Sequence, residues 1–584
     1  MKKRMLALLL ALCLCLAMAA CGSGTSIVPE ASEAGSSEAA ESAAESAAQP
    51  EVEAPEAEPE AETEVPASEE ASEPETPEEA MAGIDSSDLY PVFDEMTEIE
   101  AFLNIAPWAS AYIGPDAEFE NAYAILYAQD ITNVHLNCEW SDPDTYQQKM
   151  QLLIAANDLP HITRNFTGMY STGEDGAIED GLCVDLMEYF PEYAPEYYAL
   201  LQSNANFRSQ VVSTSGVATA MYSYTEIPAY TRGPMIRKDW LDELGLEIPT
   251  TVAELYDVAV AFKDKGVPSP VVSPKMIADA YYGGDFISSN SAAMVSYWNI
   301  DGVMTPAVTL DSNYDWVVEA KKWNEEKLFV EDWYNPLPFY DFDVWADKIG
   351  VAYGPYSMTS DATRQFANDP EHFTIYPMAN VVLNEGDTIK TQDNSYGGRG
   401  DGDWCITTKD EDIIPNLVSY VNWFFTEEGI MVSNFGKEGE TYTVDKDGSV
   451  HYTDMILKDP NGYGTMAVYA IFTNNNDNPF YFRMERTTET YDNEVEATVY
   501  DTWLSNMTSE YVATYSMTSE ETEAFNAIAT DLSTTLTEGL TKFMTGDRAL
   551  SPEAWQSFQD ELKALGLDDM TEIVQTAFDR SNAE

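Results

Sequence analysis

The sequence predicts an α/β protein of at least two lobes, carried behind a leading segment that does not fold. Three observations point there. Strand-like and helix-like patterns alternate past Ile84. The stretch from Met81 to Glu584, about 500 residues, exceeds what one hydrophobic core usually holds. The residues before it lack the aliphatic bulk to bury anything.

In chain order, EIEAFLNI (98–105) reads as a strand and AEFENAYAILYAQD (117–130) as a helix. TNVHLNCEW (132–140) is a second strand, DPDTYQQKMQLLIAAND (142–158) a second helix, and LPHITRN (159–165) a third strand. This alternation with short links predicts a mainly parallel sheet, whose ligands sit beyond the carboxyl ends of the strands. Trp108, Trp140 and the loop Asn165–Tyr170, which includes Phe166, fall at those ends. Further on, Thr251 and Glu254 form a capping box, and Val252, Leu255, Val258, Ala259 and Phe262 recur at helical spacing. Lys263 and Lys265 occupy the last turn and Gly266 stops the helix. Near the C-terminus Ser551 and Pro552 open a helix whose Trp555, Phe558, Leu562 and Leu565 share one face before Gly566. DKDGSV (445–450) reads as a hairpin turn.

Lys2, Lys3 and Arg4 precede an apolar run, Met5–Ala20, that ends in small residues. Residues 1–20 therefore read as a secretion signal, shorter than the ~20 apolar residues that comfortably span a bilayer. Met18-Ala19-Ala20-Cys21 resembles the bacterial lipobox, with Met18 where Leu is usual. That resemblance implies a lipid (palmitate-type) anchor on Cys21 at the extracellular face of the cytoplasmic membrane. Residues 21–80 form an Ala/Ser/Glu/Pro linker, and Gly22–Ala80 carries 18 Glu and no Lys or Arg. Its composition predicts disorder. Stretched, it would reach about 200 Å, and as a coil about 45 Å.

The chain carries 102 acidic and 29 basic residues, a net charge of −73. Such a field disfavours nucleic acid, phosphorylated and strongly acidic ligands, and suits neutral or cationic ones. Of six cysteines, Cys13 and Cys15 leave with the signal and Cys21 is the lipid site. Cys138, Cys183 and Cys405 remain, far apart, odd in number and without CxxC, which suggests neither a zinc site nor a disulfide framework. Cys138 and Cys405 lie in strand-like runs and read as buried thiols. Asp311-x-Asn313-x-Asp315 begins like a calcium loop but lacks Gly at the sixth position and Glu at the twelfth, so no metal is assigned. GxSxG, HExxH and GxxxxGK[ST] are all missing, and no cofactor is called for.

MIRKDWLDELGLEIPTTVAELYDVAVAFKDKG resembles a characteristic block of extracellular solute-binding proteins of the family 1 type, in its large lipoprotein subgroup. MQLLIAANDLPHIT, YVNWFFTEEGIMVSNFGKEGETYTVDKDG and FMTGDRALSPEAWQSFQDELKALGLDDMTEIVQTAFDR are similar to three further blocks, so the likeness runs from Gln151 to Arg580. His161 stands where the family often has Asp. The resemblance implies a type II, periplasmic-binding-protein-like fold: two α/β lobes joined by crossover strands, with a cleft that closes by hinge motion. It implies one lobe from about 85–228 and 395–450, and another from about 229–394 and 451–584, together filling residues 81–584. It further implies capture of a carbohydrate, a neutral oligosaccharide, for the permease of an ABC transporter, without catalysis.

Sugars are held by aromatic rings against their C–H faces and by carboxylates, amides and Arg on their hydroxyls. The chain has 12 Trp and 34 Tyr, many beside Gly, Pro or Asp. VAYGPYSMTSD resembles the segment of the family's maltose receptors whose aromatic after Gly-Pro stacks on sugar; this marks Tyr356, a Tyr in place of Trp. GGRGDGDWCITT offers Arg399, Asp401, Asp403 and Trp404 at an expected crossover, and ATAMYSYTEIPAY offers Tyr222 and Tyr224 before the other. ADAYYGGD adds Tyr281 and Tyr282, and SYWNIDG adds Trp298. With Trp108, Phe166 and Tyr170 these are the candidate ligand contacts. Trp240 is assigned to packing at a helix start. Two alternatives stay open: a peptide or polyamine receptor of the same fold, and a secreted glycoside hydrolase, which would need two carboxylates about 5–10 Å apart.

Overall fold

The strand–helix alternation becomes one flank of a six-stranded sheet. A computed structural model of the chain describes residues 76–104, 122–141, 143–170, 172–282, 295–334, 348–356, 358–359, 373–458, 465–474, 478–491 and 494–582. Strand β1 (Thr97–Asn104) buries Ile99, Ala101, Phe102 and Leu103. The helix Tyr123–Thr132 lays Ala124, Ile125 and Ala128 inward and stops at Asn133, whose φ of 59° lets its N–H reach the Gln129 carbonyl. Strand β2 (Val134–Ser141) returns in parallel register, from Thr97↔Val134 to Asn104↔Ser141. After the helix Pro143–Ala156, β3 (Ile162–Thr163) pairs parallel to β1. This strand is shorter than LPHITRN suggested, because Asn165 turns into the left-handed region at φ 46°.

The chain then runs through β4 (Ala220–Pro228) and crosses directly into a second sheet at β5 (Arg232–Arg237). There follow β6 (Ser269–Val271) and a hairpin, β7 (Tyr297–Ile300) and β8 (Val303–Pro306), turned on Asp301 and Gly302, both at positive φ. Strands β9 (Ile349–Pro355) and β10 (Ile375–Pro377) complete the second sheet, ordered β10-β5-β9-β6. The chain recrosses to β11 (Tyr396–Ile406), which runs antiparallel to both β3 and β4. A hairpin, β12 (Tyr442–Val444) and β13 (Val450–Tyr452), is turned over residues 445–449. Strand β14 (Tyr481–Phe482) then lies beside β4, giving the order β14-β4-β11-β3-β1-β2. The first sheet is therefore mixed, where the pattern predicted mainly parallel: β11 arrives from the other lobe and runs against its neighbours.

Strand β14 also corrects the lobe division, which placed everything past 450 in the second lobe. Phe435, Tyr442, Tyr452 and Tyr469 cluster, and Asn434 Nδ2 donates to the Tyr481 carbonyl at 2.7 Å, tying this stretch to the first sheet. Arg486, fully buried, donates to the Ser433 and Asn474 carbonyls with its guanidinium against Tyr469.

The second lobe is helix-covered. Thr251 Oγ1 accepts from the Glu254 N–H at 3.2 Å, the Glu254 carboxylate accepts from Thr251 N–H at 3.2 Å, and Gly266 at φ 106° ends the helix Val252–Lys265. Ser551 Oγ accepts from Ala554 N–H at 3.1 Å to start Pro552–Ala564. Trp555, Phe558 and Leu562 are buried there, but Leu565 is the cap itself, turned off the face and 38% exposed. The helices Asp311–Glu325, Ser519–Thr545 and Leu567–Ser581 complete the layer, with Trp316, Trp323 and Phe543 in the core. The Asp311–Asp315 stretch forms the first turns of a helix, not a loop. Among the described residues no helix is long and apolar enough to cross a membrane, and no cluster of three metal-ligating side chains occurs. Residues 1–21, including Cys21, lie outside the described residues.

Three stretches join the lobes: 228–232, 377–396 and 482–519. The first two are tied by Ala229 N–H to the Ser395 carbonyl at 3.0 Å. In the third, the helix Val499–Leu504 presses Trp503 onto Gly233, where a Cβ would meet the indole at 2.4 Å, and Trp503 Nε1 donates to Pro234 O at 2.9 Å. Gly is needed there because the backbone and the ring share one space.

Candidate functional site

The first wall grows from the carboxyl ends of β1 and β3. Arg164, just past β3, donates from Nη1 to Asn104 Oδ1 at 2.7 Å and from Nη2 to the Asp401 carbonyl at 3.0 Å. Its Nε lies 3.7 Å from the Asp403 carboxylate, whose other oxygen accepts from Asn165 N–H at 2.6 Å. Tyr146 steadies this turn, donating to Arg164 O at 2.6 Å and accepting from Arg164 N–H at 3.0 Å. The pairing of β11 with β4 slips between Arg399 and Asp403. Gly400, Asp401 and Gly402 form this bulge: Gly402 N–H donates to Ser223 Oγ at 3.0 Å, and a Cβ on Gly400 would meet that oxygen at 2.4 Å. Bulges of this kind re-aim a side chain beside functional sites.

Arg399 lies with its guanidinium 3.8 Å from the centre of the Tyr222 ring, and Nη1 donates to Gln210 O at 3.1 Å. Glu174, on the helix Gly173–Glu179, has its carboxyl pushed up to about 7 by burial, with Arg399 pulling the other way. Beside it a cavity of about 220 Å³ is lined by Glu174, Asp175, Ser209 and Gln210 of the first lobe and Ser516, Ser519 and Thr522 of the second. A neighbouring groove of about 480 Å³ shares Asp175 and Ser519. Carboxylates, an amide and hydroxyls from two lobes thus face one space.

A second group sits where the lobes join. Tyr356 follows β9, its N–H donating to Thr231 O at 3.2 Å and its hydroxyl accepting from Thr487 Oγ1 at 3.4 Å. Its ring lies 5.5 Å from that of Tyr500. Tyr396, at the start of β11, is 50% exposed, and the Tyr491 hydroxyl, its pKa raised mainly by burial, lies in the neighbourhood of Tyr356 and Tyr396. The buried hydroxyls of Tyr491 and Tyr500 find no partner among the described residues. A third group lies on the second lobe. Trp298 Nε1 donates to Tyr282 O at 3.3 Å, and the Tyr282 ring lies 5.9 Å from Tyr511, against which Lys390 also packs. Tyr281 is half-buried, its hydroxyl pushed up to about 12 by burial.

Of the candidates read from the sequence, Arg399, Tyr222, Asp401 and Asp403 come together. Tyr356 stands apart at the junction, and Tyr281 and Trp298 belong to the second lobe. Five candidates are corrected, their rings or hydroxyls being taken up by the protein itself. Trp404 is 0% exposed, stacked 5.9 Å from Tyr420 with Phe424 at its edge, so it is core. Phe166 is buried beneath Tyr170, and Tyr170 turns its hydroxyl to Asp180. Tyr224 is buried between Phe207 and Tyr481, and Tyr222 is likewise buried, its ring covered by the Arg399 guanidinium. Trp404, Tyr222 and Tyr224 are strand residues buried in the packing and Phe166 is buried on a short helix, which residue type alone does not reveal; Tyr170 is engaged through its hydroxyl. Trp108 lies outside the described residues. Sequence reasoning missed Arg164, Glu174, Tyr396 and Tyr500. Arg164 was hidden inside the third predicted strand, 159–165; it comes to the strand's carboxyl end only because β3 stops at Thr163.

No protein-family model matches the chain. In sequence it is similar to the polygalacturonan/rhamnogalacturonan-binding protein YtcQ of Bacillus subtilis, 28% identical over 171 residues, 27% of this chain and 32% of that protein. It is also similar to the fructooligosaccharide ABC transporter substrate-binding protein FusA of Streptococcus pneumoniae, 26% identical over 144 residues, 23% of this chain and 26% of that one. The matches span about a third or less of those relatives. In fold it is similar to the alginate-binding protein AlgQ2, with a TM-score of 0.68 at 20% identity, covering 84% of this chain and 99% of the other.

Proposed function

We propose that this chain, which belongs by fold and sequence similarity with the extracellular solute-binding proteins, is exported, lipid-anchored at Cys21, and captures a neutral oligosaccharide for an ABC transporter permease. The observation that carries this reading is twofold: three chain crossings bring Tyr356, Tyr396, Tyr491 and Tyr500 together, and a separate cavity is lined by polar side chains of both lobes. Tyr356 and Tyr396 offer faces for sugar C–H groups, while Asp401, Glu174 and Gln210 offer partners for hydroxyls. Hinge motion about the crossings would close the lobes on the ligand, and the permease would read the closed pair. Binding without turnover is the expected activity.

A uronate-rich oligosaccharide is the second reading, because Arg164 and Arg399 line the first wall and because YtcQ and AlgQ2 bear the names of acidic polysaccharides. Against it, Arg164 is already matched by Asp403 and Arg399 is faced by Glu174. The overall charge of −73 also repels a polyanion. Thermal-shift titration with paired neutral and uronate oligosaccharides tests the choice. Stabilisation by neutral members alone supports the first reading. Stabilisation by uronates alone replaces it, and silence to both directs attention to peptides and polyamines.

A further inference from the structure

We propose that Cys183 and Cys405 are joined as a disulfide in the exported protein. The two residues lie far apart in sequence, yet their Sγ atoms are 3.3 Å apart and they are 2% and 0% exposed. Both backbones are held on either side of the contact. Cys405 pairs with Thr163 of β3 and Ala220 of β4, in the middle of the first sheet. Cys183 is bridged to Thr407, and Thr408 N–H donates to Leu182 O at 3.0 Å. Cys138 is excluded as a partner: it lies on β2, separated from β11 by β3 and β1. At about 4.8 Å per strand that is about 14 Å, beyond the span of a disulfide.

The pairing has a consequence for the wall described above. Strand β11 carries Arg399, Asp401 and Asp403, while Cys183 follows the helix that carries Glu174. The bond fastens these two sides of the first lobe and encloses in one loop the whole first passage through the second lobe, which constrains the unfolded chain strongly.

Oxidation needs a disulfide-bearing oxidant, protein or small molecule, which an exported chain meets outside the cell; this clause rests on the export reading. One cysteine thiolate attacks the oxidant's disulfide, forming a mixed disulfide and releasing one thiol. The other thiolate displaces the second sulfur. Each cysteine loses a proton, and the two electrons reduce the oxidant to two thiols. Burial pushes the Cys405 thiol well up, so the exchange belongs to a stage before the sheet has closed.

The test takes the full chain from cells that export it, without reductant, quenches it in acid, then denatures it with an alkylating reagent near neutral pH before digestion and mass spectrometry. The expected result is a labelled Cys138 and a peptide pair joining Cys183 to Cys405, lighter by two hydrogens, which separates and labels after reduction. Alkylation of both Cys183 and Cys405 before reduction, or a peptide joining Cys138, overturns the proposal. A second measurement compares melting with and without dithiothreitol: the wild type shifts down and the Cys183→Ala/Cys405→Ala variant does not move. A wild type indifferent to reductant counts against the bond. Carbohydrate binding is read on separate samples, so its failure bears on the ligand alone.

Discussion

The two lobes are stabilised by different means where it matters most. The first buries ionic and polar groups: Arg164 against Asp403 and Asn104, and Glu196 against Ser86 and Asn422. The second is closed by rings and aliphatics from Trp316, Trp323, Phe543 and Phe558. It also buries a guanidinium, but Arg237 pairs with its near neighbour Asp239 and lies 3.8 Å from Trp240 and 4.4 Å from Phe373, within local packing. Apolar area supplies stability with little demand on direction. A satisfied polar lattice demands particular geometry and is costly when one member is lost. The contrast teaches that the first lobe adds to its own extensive apolar core a polar lattice that fixes positions beside the wall, while the second relies on its apolar core.

The largest effect comes from breaking the lattice. Asp403→Ala removes the carboxylate that faces Arg164 and accepts from Asn165 N–H, and should cost about 3–5 kcal/mol in denaturant titration. Asp403→Asn, which keeps an amide oxygen, should cost less. A similar loss of about 3–5 kcal/mol is expected for Phe558→Ala in the second lobe and for Trp404→Ala in the first. Both variants should retain wild-type carbohydrate affinity per folded molecule, because neither ring reaches a ligand. Tyr356→Ala should do the opposite and weaken binding about tenfold, or about 1.4 kcal/mol; Tyr356→Phe, which keeps the ring, should change little. Thr251→Ala removes a cap remote from the site, and about 1 kcal/mol with unaltered binding is expected.

The smallest effect is a pH dependence. Burial raises the Glu174 carboxyl to about 7, so the folded protein holds that proton more tightly than the unfolded chain. Its contribution is fully present below the unfolded value and is lost as pH rises through about 7. Glu174→Gln should flatten that decline, an effect on the order of 1 kcal/mol given partial contact with water.

The scaffold was legible because it is written in local rules. Thr251 with Glu254, Gly266, Ser551 and the β1–β2 alternation are settled by neighbours within a few residues, and all appear where the spacing put them. Strand β14 was not legible: two residues take their place through Asn434, far away in sequence. The wall was half legible. GGRGDGDW offered Arg399, Asp401 and Asp403 as contacts, but not the bulge at Gly400–Gly402 that separates them. Yet Trp404, two residues past that bulge, looked like a platform and is core, packed against Tyr420 and Phe424. Tyr396 and Tyr500 could not be singled out among 34 tyrosines, because what brings them to Tyr356 is the crossing of three chain segments.

The central claim is that the two lobes hold a carbohydrate and release it unchanged. Calorimetric titration of the protein with neutral oligosaccharides, followed by chromatography of the same samples, tests it most directly. The account predicts saturable one-to-one heat with the sugar recovered intact. Shortened sugar in the recovered samples would contradict it and make the protein a hydrolase.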